Sequence, residues 1–275
     1  MLLPEVEFAE VGLYYATSQH ISESSVNTIF FNNLKHRAQH GLAFLFVLFL
    51  LAGCAPAGGA AAPSATFAPV DSYANLPAGA APAGWRNLQS DPFDQNLYEW
   101  PVDQKIVNGE AYLDTHIGDG VYTWTANTLT GSFFFLSPAT EDLTDIIVQV
   151  DAACPACKPQ WDYGIIFRVG EGGWLYFSVN EEGTVKFLEF QDRFWTEVIS
   201  PVTAAGFQPG QTNRLGLRAE GEQVTLLVNR QEVASTLVTR LAAGQLGLAI
   251  SQTEPGEMQV IFDNWELLEK QGSQK

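Results

Sequence analysis

Basic side chains are scarce in this 275-residue chain, in which 14 Lys and Arg stand against 31 Asp and Glu, for a formal net charge of −17. Proteins that bind nucleic acids carry stripes of Lys and Arg, which displace the counterions of the phosphates. The scarcity of basic residues therefore argues against a nucleic-acid partner, and we expect none.

Histidine and cysteine are also rare, with four and three residues. Three Cys cannot build a disulfide scaffold. His116 is the only His after Cys54, so that part of the chain cannot form a multi-histidine metal site, and a Ser-His-Asp triad would depend on His116 alone. His116 lies near the end of a predicted strand, just before the Asp119-Gly120 turn, and this position favours a surface role.

Long apolar runs are missing too. Residues 42–52 form an unbroken run of eleven, whereas a membrane-spanning helix needs about 20. The run has the length of a signal-peptide apolar region, and Lys35 and Arg37 precede it as the usual basic charges. It ends in Leu-Ala-Gly-Cys at 51–54, which resembles the bacterial lipobox. This resemblance implies a signal peptide over 34–53, cleavage before Cys54 and acylation of Cys54.

Acylation would hold the protein on a membrane, because each buried CH₂ contributes about 0.8 kcal/mol. We expect an exported protein that is anchored only through its lipid on the extracytoplasmic face, at the outer membrane or cell surface. Ala55 supports this location, because lipoproteins retained at the inner membrane carry Asp at that position. The alternative is a buried structural Cys that follows a short core helix.

Residues 1–33 do not fit an export signal. They contain four Glu and neither Lys nor Arg, which is the wrong charge for the start of a signal peptide. We therefore predict that 1–33 is a mis-called extension and that translation begins at Leu34.

A tether is expected over 54–84. Ala, Pro and Gly supply 21 of the 30 residues from 55 to 84, as 12 Ala, 5 Pro and 4 Gly. Such a segment has little to bury and cannot offset its ordering entropy, so we expect it to be disordered.

Residues 85–269 lack the 3.6-residue apolar period of long helices. Short apolar or alternating runs are separated by turn signals every 8 to 12 residues, which indicates an all-β, two-sheet sandwich before a tail at 270–275. The predicted strands are 106–114, 121–126, 131–137, 144–151, 163–169, 174–179, 185–190, 195–199, 212–219, 223–228, 232–237, 245–251 and 258–268.

Several segments of this region resemble one superfamily. They include Ile-Val-Asn-Gly-Glu-Ala at 106–111, Tyr-Gly-Ile-Ile-Phe-Arg at 163–168, the hairpin from Val224 and Phe-Asp-Asn-Trp at 262–265. Together they are similar to the concanavalin A-like lectin/glucanase jelly roll, in its bacterial laminin-G and 3-keto-disaccharide hydrolase-like branch. The resemblance implies two curved antiparallel sheets whose concave face often binds glycans. We expect a monomer that binds a glycan or an extracellular protein.

Catalysis is not expected. Glucanases of this superfamily place carboxylates on alternate residues of one strand, as Glu-x-Asp-x-Glu, so that they share one cleft. That pattern is absent, and the nearest acidic cluster, Glu189, Asp192 and Glu197, has the wrong spacing. A non-catalytic binding module is therefore favoured. A hydrolase of the keto-disaccharide type and a purely structural envelope protein are the alternatives.

Sugar sites use aromatic rings as platforms, with carboxylates and Arg at the rim. Trp174 and Trp195 follow hairpin turns that belong to consecutive strand pairs, while Arg168 and Tyr176 lie on strands between them. We predict that these four residues line one shallow groove, with Asp192 or Glu197 at its rim. The competing interpretation is that these aromatics belong to the sandwich core.

Cys154 and Cys157 form a Cys-x-x-Cys pair. A thioredoxin-like role needs a helix after the motif, but a strand follows here. In an exported protein we predict a loop disulfide, with free thiols as the alternative.

No cofactor is predicted apart from a structural Ca²⁺. Hard oxygen ligands suit this ion, and Asp91, Asp94 and Asp263 could supply them if the two ends of the domain pair.

Overall fold

The computed structural model describes residues 13–17, 81–103, 105–108, 111–138 and 140–272. Sixteen β-strands run through these residues, and none of the described residues is helical. The strands are β1 (Leu13–Thr17), β2 (Trp85–Asp91), β3 (Lys105–Asn108), β4 (Ala111–Gly118), β5 (Val121–Thr128), β6 (Ser132–Ser137), β7 (Ile146–Ala153), β8 (Asp162–Gly170), β9 (Gly173–Asn180), β10 (Thr184–Gln191), β11 (Phe194–Thr203), β12 (Asn213–Glu220), β13 (Gln223–Val228), β14 (Gln231–Leu237), β15 (Gln245–Gln252) and β16 (Gly256–Lys270).

The strands form a two-sheet jelly-roll sandwich, as the sequence predicts. The seven-stranded sheet has the order β1-β6-β15-β8-β9-β10-β11. The nine-stranded sheet has the order β14-β13-β12-β7-β16-β5-β4-β3, with β2 beside β16. All pairings are antiparallel except that of β1 with β6, which is parallel.

Strand β16 is long enough to serve two neighbours on one side. Its first half pairs with β5 and its second half with β2, while β7 runs along its other side. The change occurs at an irregularity between Asp263 and Glu266, where Asn264 has φ of 51°. An extra residue in one strand bends it, so β16 follows both partners.

Aromatic side chains fill one end of the core between the sheets. Trp124 packs edge-on against Tyr122 and Phe262, with ring centroids 5.6 and 5.4 Å apart, and Trp100 packs edge-on against Trp265 at 5.3 Å. The Trp265 indole N–H donates to Gln89 Oε1 at 3.0 Å. Burying such large rings contributes much of the hydrophobic stabilisation of the sandwich.

Tight turns fix the hairpins at the positions that the sequence indicates. Asn229-Arg230 and Asp119-Gly120 each have positive φ at both residues, as does Asp192-Arg193. Two consecutive residues with positive φ give a turn whose twist matches the right-handed twist of the flanking strands. Asp and Asn suit these positions because they tolerate the left-handed conformation.

Nearly every predicted strand is present, with three differences, one of which is that β1 was not predicted. The predicted strand at 106–114 is two strands, β3 and β4, because the chain turns back after Asn108. Strand β2 was not predicted, since its sequence mixes polar and apolar residues without regular alternation.

The described residues all belong to one compact unit, composed of Met1–His20 and Val70–Lys275, and the second unit, Ile21–Pro69, lies outside them. The predicted signal peptide, Cys54 and the tether up to residue 80 are also outside the described residues, as is the predicted extension apart from β1. No helix among the described residues is long and apolar enough to cross a membrane.

Candidate functional site

The seven-stranded sheet is apolar on both of its faces. Residues such as Phe134, Ile165 and Phe177 face the core between the sheets. Alternate residues of the same strands form a second apolar group on the opposite face. A sheet face turned away from the core is ordinarily polar, so this second group calls for a functional explanation. Its rings, called here the aromatic cluster, are Phe133, Phe135, Trp174, Tyr176, Phe190 and Trp195.

The rings of the aromatic cluster pack closely. Trp174 stacks on Phe190 with centroids 4.2 Å apart and an interplanar angle of 14°. The ring centroids of Trp195 and Phe190 are 5.0 Å apart, and those of Phe133 and Tyr176 are 5.2 Å apart. Offset-stacked and edge-to-face pairs at such distances are favourable beyond the area they bury.

The sheet curls towards the aromatic cluster, so this face is concave. Phe133 is on β6 and Trp195 is on β11, which are five strand spacings apart in the sheet order. Those spacings would separate the strands by roughly 24 Å in a flat sheet. The two rings are nevertheless 5.3 Å apart.

Small residues at the centre of the face allow the rings to approach. Gly164, Gly247 and Ala249 lie between the strands that carry Phe133 and Tyr176. A Cβ on Gly164 would lie 2.1 Å from the Phe177 carbonyl oxygen, and one on Gly247 would lie 2.1 Å from that of Leu136. Both positions therefore require glycine. Because glycine has no side chain, no atoms project from the centre of the face at these two positions.

Exposure increases across the face towards β10 and β11. Phe133, Phe135 and Tyr176 are buried, whereas Phe190 and Trp195 are half-buried. Glu197 is exposed and lies directly opposite Leu188, which packs against the aromatic cluster. The accessible part of the concave face is thus the strip along these two strands.

Polar residues lie on the same face beside the rings. Lys186 Nζ donates to Asp162 Oδ2 at 2.8 Å, and Ser178 is the cross-strand neighbour of Lys186. Among the described residues, neither Asp162 Oδ1 nor the Ser178 hydroxyl has a hydrogen-bond partner. Burial raises the pKa of Asp162, and the nearby Lys186 ammonium partly opposes that effect. Burial also raises the pKa of Tyr176, to which the charge of Asp162 adds.

The concave face of β9 and β10 carries no acidic residue. The positions in question are Trp174, Tyr176, Ser178, Asn180, Lys186, Leu188 and Phe190. The carboxylate of Asp162, on the neighbouring β8, is already engaged by Lys186. These two strands therefore do not supply the pair of carboxylates that glycoside hydrolysis requires.

The structure brings together three of the four predicted groove residues, and Arg168 is the exception. We expected Arg168 to project from the concave face, but a bulge after Phe167 gives it φ of 52° and turns its side chain elsewhere. The guanidinium is buried and donates to the carbonyls of Leu241 at 2.8 Å and Gly221 at 2.5 Å. Arg168 is thus a structural residue that connects β8 to the chain segments that contain Leu241 and Gly221. Burial lowers its pKa, which the charge of Asp145 opposes.

The two predicted rim residues occupy different places. Glu197 lies beside the aromatic cluster, as described, whereas Asp192 is part of the exposed turn between β10 and β11. The sequence reading missed Phe133, Phe135 and Phe190, together with Asp162, Ser178 and Lys186. The run Phe133 to Leu136 is wholly apolar and indicates a buried strand, but it cannot show that both faces of that strand are used.

Cys154 and Cys157 are joined by a disulfide and are both buried. The loop between β7 and β8 that contains them is held by further contacts. Lys158 Nζ donates to the Pro255 carbonyl and Asn180 Nδ2 to that of Pro159, both at 2.7 Å. This loop leads directly into Asp162.

The residues of the predicted calcium site are placed as follows. Asp91 is buried, its Oδ1 accepts from the Phe93 amide at 2.9 Å, and burial raises its pKa. Asp263 Oδ1 accepts from the Asn264 amide. Burial also raises the pKa of Asp263, with contributions from the charges of Asp151 and Asp94. No three His, Cys, Asp or Glu side chains of the described residues are grouped as metal ligands, and the Ca²⁺ site stays a prediction.

No protein-family model matches the chain, and no curated protein matches its sequence. Among solved structures, it is similar to the GlcNAcα1-4Gal-releasing endo-β-galactosidase from Clostridium perfringens. That match has a TM-score of 0.52 at 8% identity and covers 71% of this chain and 65% of the enzyme. At this identity the likeness concerns the fold alone, which is a two-sheet antiparallel jelly roll in both proteins.

Two further solved structures match at lower TM-scores. The catalytic domain of an endo-1,3-β-glucanase (laminarinase) from Thermotoga petrophila has a TM-score of 0.46 at 9% identity, covering 68% of this chain and 99% of its own. The carbohydrate-binding module CBM66 from Bacillus subtilis has a TM-score of 0.43 at 14% identity, covering 66% and 93%.

Proposed function

We propose that this protein is a membrane-anchored extracytoplasmic lipoprotein whose β-sandwich binds a glycan without catalysing its hydrolysis. The observation that carries the proposal is the aromatic cluster on the concave face. A sheet has no structural need for six aromatic rings on the face turned away from the core, whereas such rings bind the apolar faces of sugars.

The accessible strip supports this role. Phe190 and Trp195 are half-buried, so each presents part of a ring at the open side of the groove, and Glu197 adds an exposed carboxylate beside them. A carboxylate accepts hydrogen bonds from sugar hydroxyls, and the rings supply apolar contact. The strip thus combines the two kinds of contact that a pyranose needs.

Binding without catalysis is favoured because β9 and β10 present no carboxylate to the groove, and because Asp162 on the neighbouring β8 is only 6% exposed and already paired with Lys186. The membrane anchor rests on the Leu-Ala-Gly-Cys sequence that ends at Cys54.

A glycan array probed with the full-length protein tests the proposal. We expect binding to one or a few oligosaccharides. We also expect Trp195→Ala to weaken binding by roughly 5- to 150-fold, the equivalent of about 1–3 kcal/mol. Phe194→Ala is the matched control, because Phe194 is the adjacent residue of the same strand, 73% exposed, and is not part of the aromatic cluster. We expect this control to bind like the wild type.

The absence of binding to any glycan would reject the proposal, and so would equal effects of the two substitutions. Incubating the bound oligosaccharides with the protein and analysing the products separates binding from hydrolysis. Cleaved products would favour the hydrolase alternative.

A further inference from the structure

Lys186 is the cationic side chain on the accessible strip of the concave face. It lies on β10, two residues from Leu188 and four from Phe190, so alternation places all three on the same face. Its side chain is 28% exposed. Lys186 can therefore reach a ligand that also contacts Phe190 and Trp195.

Asp162 fixes the position of the Lys186 ammonium. The carboxylate is only 6% exposed and accepts from Nζ at 2.8 Å. An ammonium group has three N–H donors. Asp162 takes one of them, and the partly exposed end of Lys186 can direct the others to the oxygen atoms of a ligand. A lysine held at one end loses less side-chain entropy on binding than a free one.

The charges around the strip disfavour an anionic ligand. Asp162 and Glu197 place two negative charges on this face, against the single positive charge of Lys186. The chain as a whole carries a formal charge of −17. The Debye length at physiological ionic strength is about 8 Å, so a uronate or sulfate bound close to these carboxylates would be repelled, whereas a hydroxyl would not.

On the basis of the proposed glycan binding, we propose that the groove selects neutral oligosaccharides over acidic ones, with Lys186 donating to sugar hydroxyls and Asp162 acting as its positioning residue. The rings of Phe190 and Trp195 hold the apolar face of the sugar, and Glu197 accepts from hydroxyls at the open edge. Asp162, Glu197 and Lys186 together thus select the charge of the ligand, while the rings of Phe190 and Trp195 supply most of the contact area.

The test uses the full-length protein and an array on which neutral hexose oligosaccharides are paired with uronate counterparts. The wild type is expected to bind the neutral member of each recognised pair. Lys186→Met should weaken that binding about tenfold. Asp162→Asn should weaken it less and should also reduce the preference for neutral over uronate members, because it removes one negative charge. A merely structural role of Asp162 would not change this preference.

Lys158→Met is the matched control, since Lys158 is also held by an oxygen atom, the Pro255 carbonyl, but is not on the concave face. It should bind like the wild type. A wild-type preference for uronate glycans would overturn this inference and leave glycan binding intact. Unchanged binding by Lys186→Met, together with weakened binding by Trp195→Ala, would do the same. No binding to any glycan would reject the proposed function itself.

Discussion

At the scale of single residues, Trp124 and Trp195 lie in two different environments. Trp124 is completely buried between the sheets and contacts Tyr122 and Phe262. Trp195 is half-buried on the concave face, where Phe133 and Phe190 are its nearest rings. Only the second environment allows a ring to contact a ligand.

The two residues should therefore separate stability from binding. Trp124→Ala is expected to lower the free energy of unfolding by about 3–5 kcal/mol, because it leaves a cavity in the core. Trp195→Ala should cost about 1–2 kcal/mol, the scale of the ring pairs it loses. Urea unfolding monitored by circular dichroism measures both. If Trp195→Ala destabilises the protein as much as Trp124→Ala does, Trp195 is a core residue and the proposed site is wrong.

The contributions of Asp162 and Glu220 to the free energy of unfolding should change with pH in opposite directions. Burial raises the pKa of Asp162 above its ordinary value of 3.8, so the folded state holds this proton more tightly than the unfolded state does. The wild type should therefore lose stability relative to Asp162→Asn as the pH rises through and above 3.8. Burial also acts to raise the pKa of Glu220, but Lys270 and Arg218 outweigh it and lower that pKa.

Glu220 consequently stabilises the protein above the unfolded-state pKa of about 4.5, and this contribution is lost as the pH falls through the lower folded-state value. Relative to Glu220→Gln, the wild type should gain stability as the pH rises. Urea titrations of the three proteins between acid and neutral pH give the differences directly. Slopes of the same sign for the two variants would contradict the assigned environments.

At the scale of elements, the strands could be read from the sequence because alternation and turn residues are local signals. The dipeptide Asn108-Gly109 in the sequence is such a signal for a hairpin, and the prediction of one strand over 106–114 overlooked it. The groove could be predicted only in part. Trp174, Tyr176 and Trp195 lie on strands that pair in sequence order, β9-β10-β11. Phe133 was missed because β6 pairs with β15, far along the chain, and that register is not encoded locally.

The loop between β7 and β8 supports the concave face from one end, and its disulfide should contribute modestly. The ring closes only a few residues, so the chain-entropy model gives about 2 kcal/mol. Replacing both Cys154 and Cys157 with Ala should lower the free energy of unfolding by that amount. Reductant should destabilise the wild type to the same extent and leave the double variant unchanged. A wild type that is insensitive to reductant while it unfolds would show that the two thiols are not paired.

At the scale of the whole molecule, the sandwich and the predicted membrane anchor lie in different parts of the chain. The Leu-Ala-Gly-Cys sequence at 51–54 and the short apolar run before it form the predicted export signal. Strand β1 lies upstream of both, in the segment predicted to precede the true start, yet it pairs with β6 at the edge of the seven-stranded sheet. A mature protein that begins at Cys54 would lack β1, and β6 would then be an edge strand.

Experiments on Cys54 test whether the mature protein begins at Cys54 and so lacks β1. The wild type is expected to partition into the detergent phase as an acylated protein that begins at residue 54, because several acyl chains anchor a protein effectively permanently. Cys54→Ser should remain an unprocessed, non-acylated precursor. Mass spectrometry of that precursor then defines the start: peptides from residues 5–25 should be absent if translation begins at Leu34. Equal partition of the two proteins would contradict the lipid anchor, and peptides from 5–25 would contradict the later start and return β1 to the translated chain.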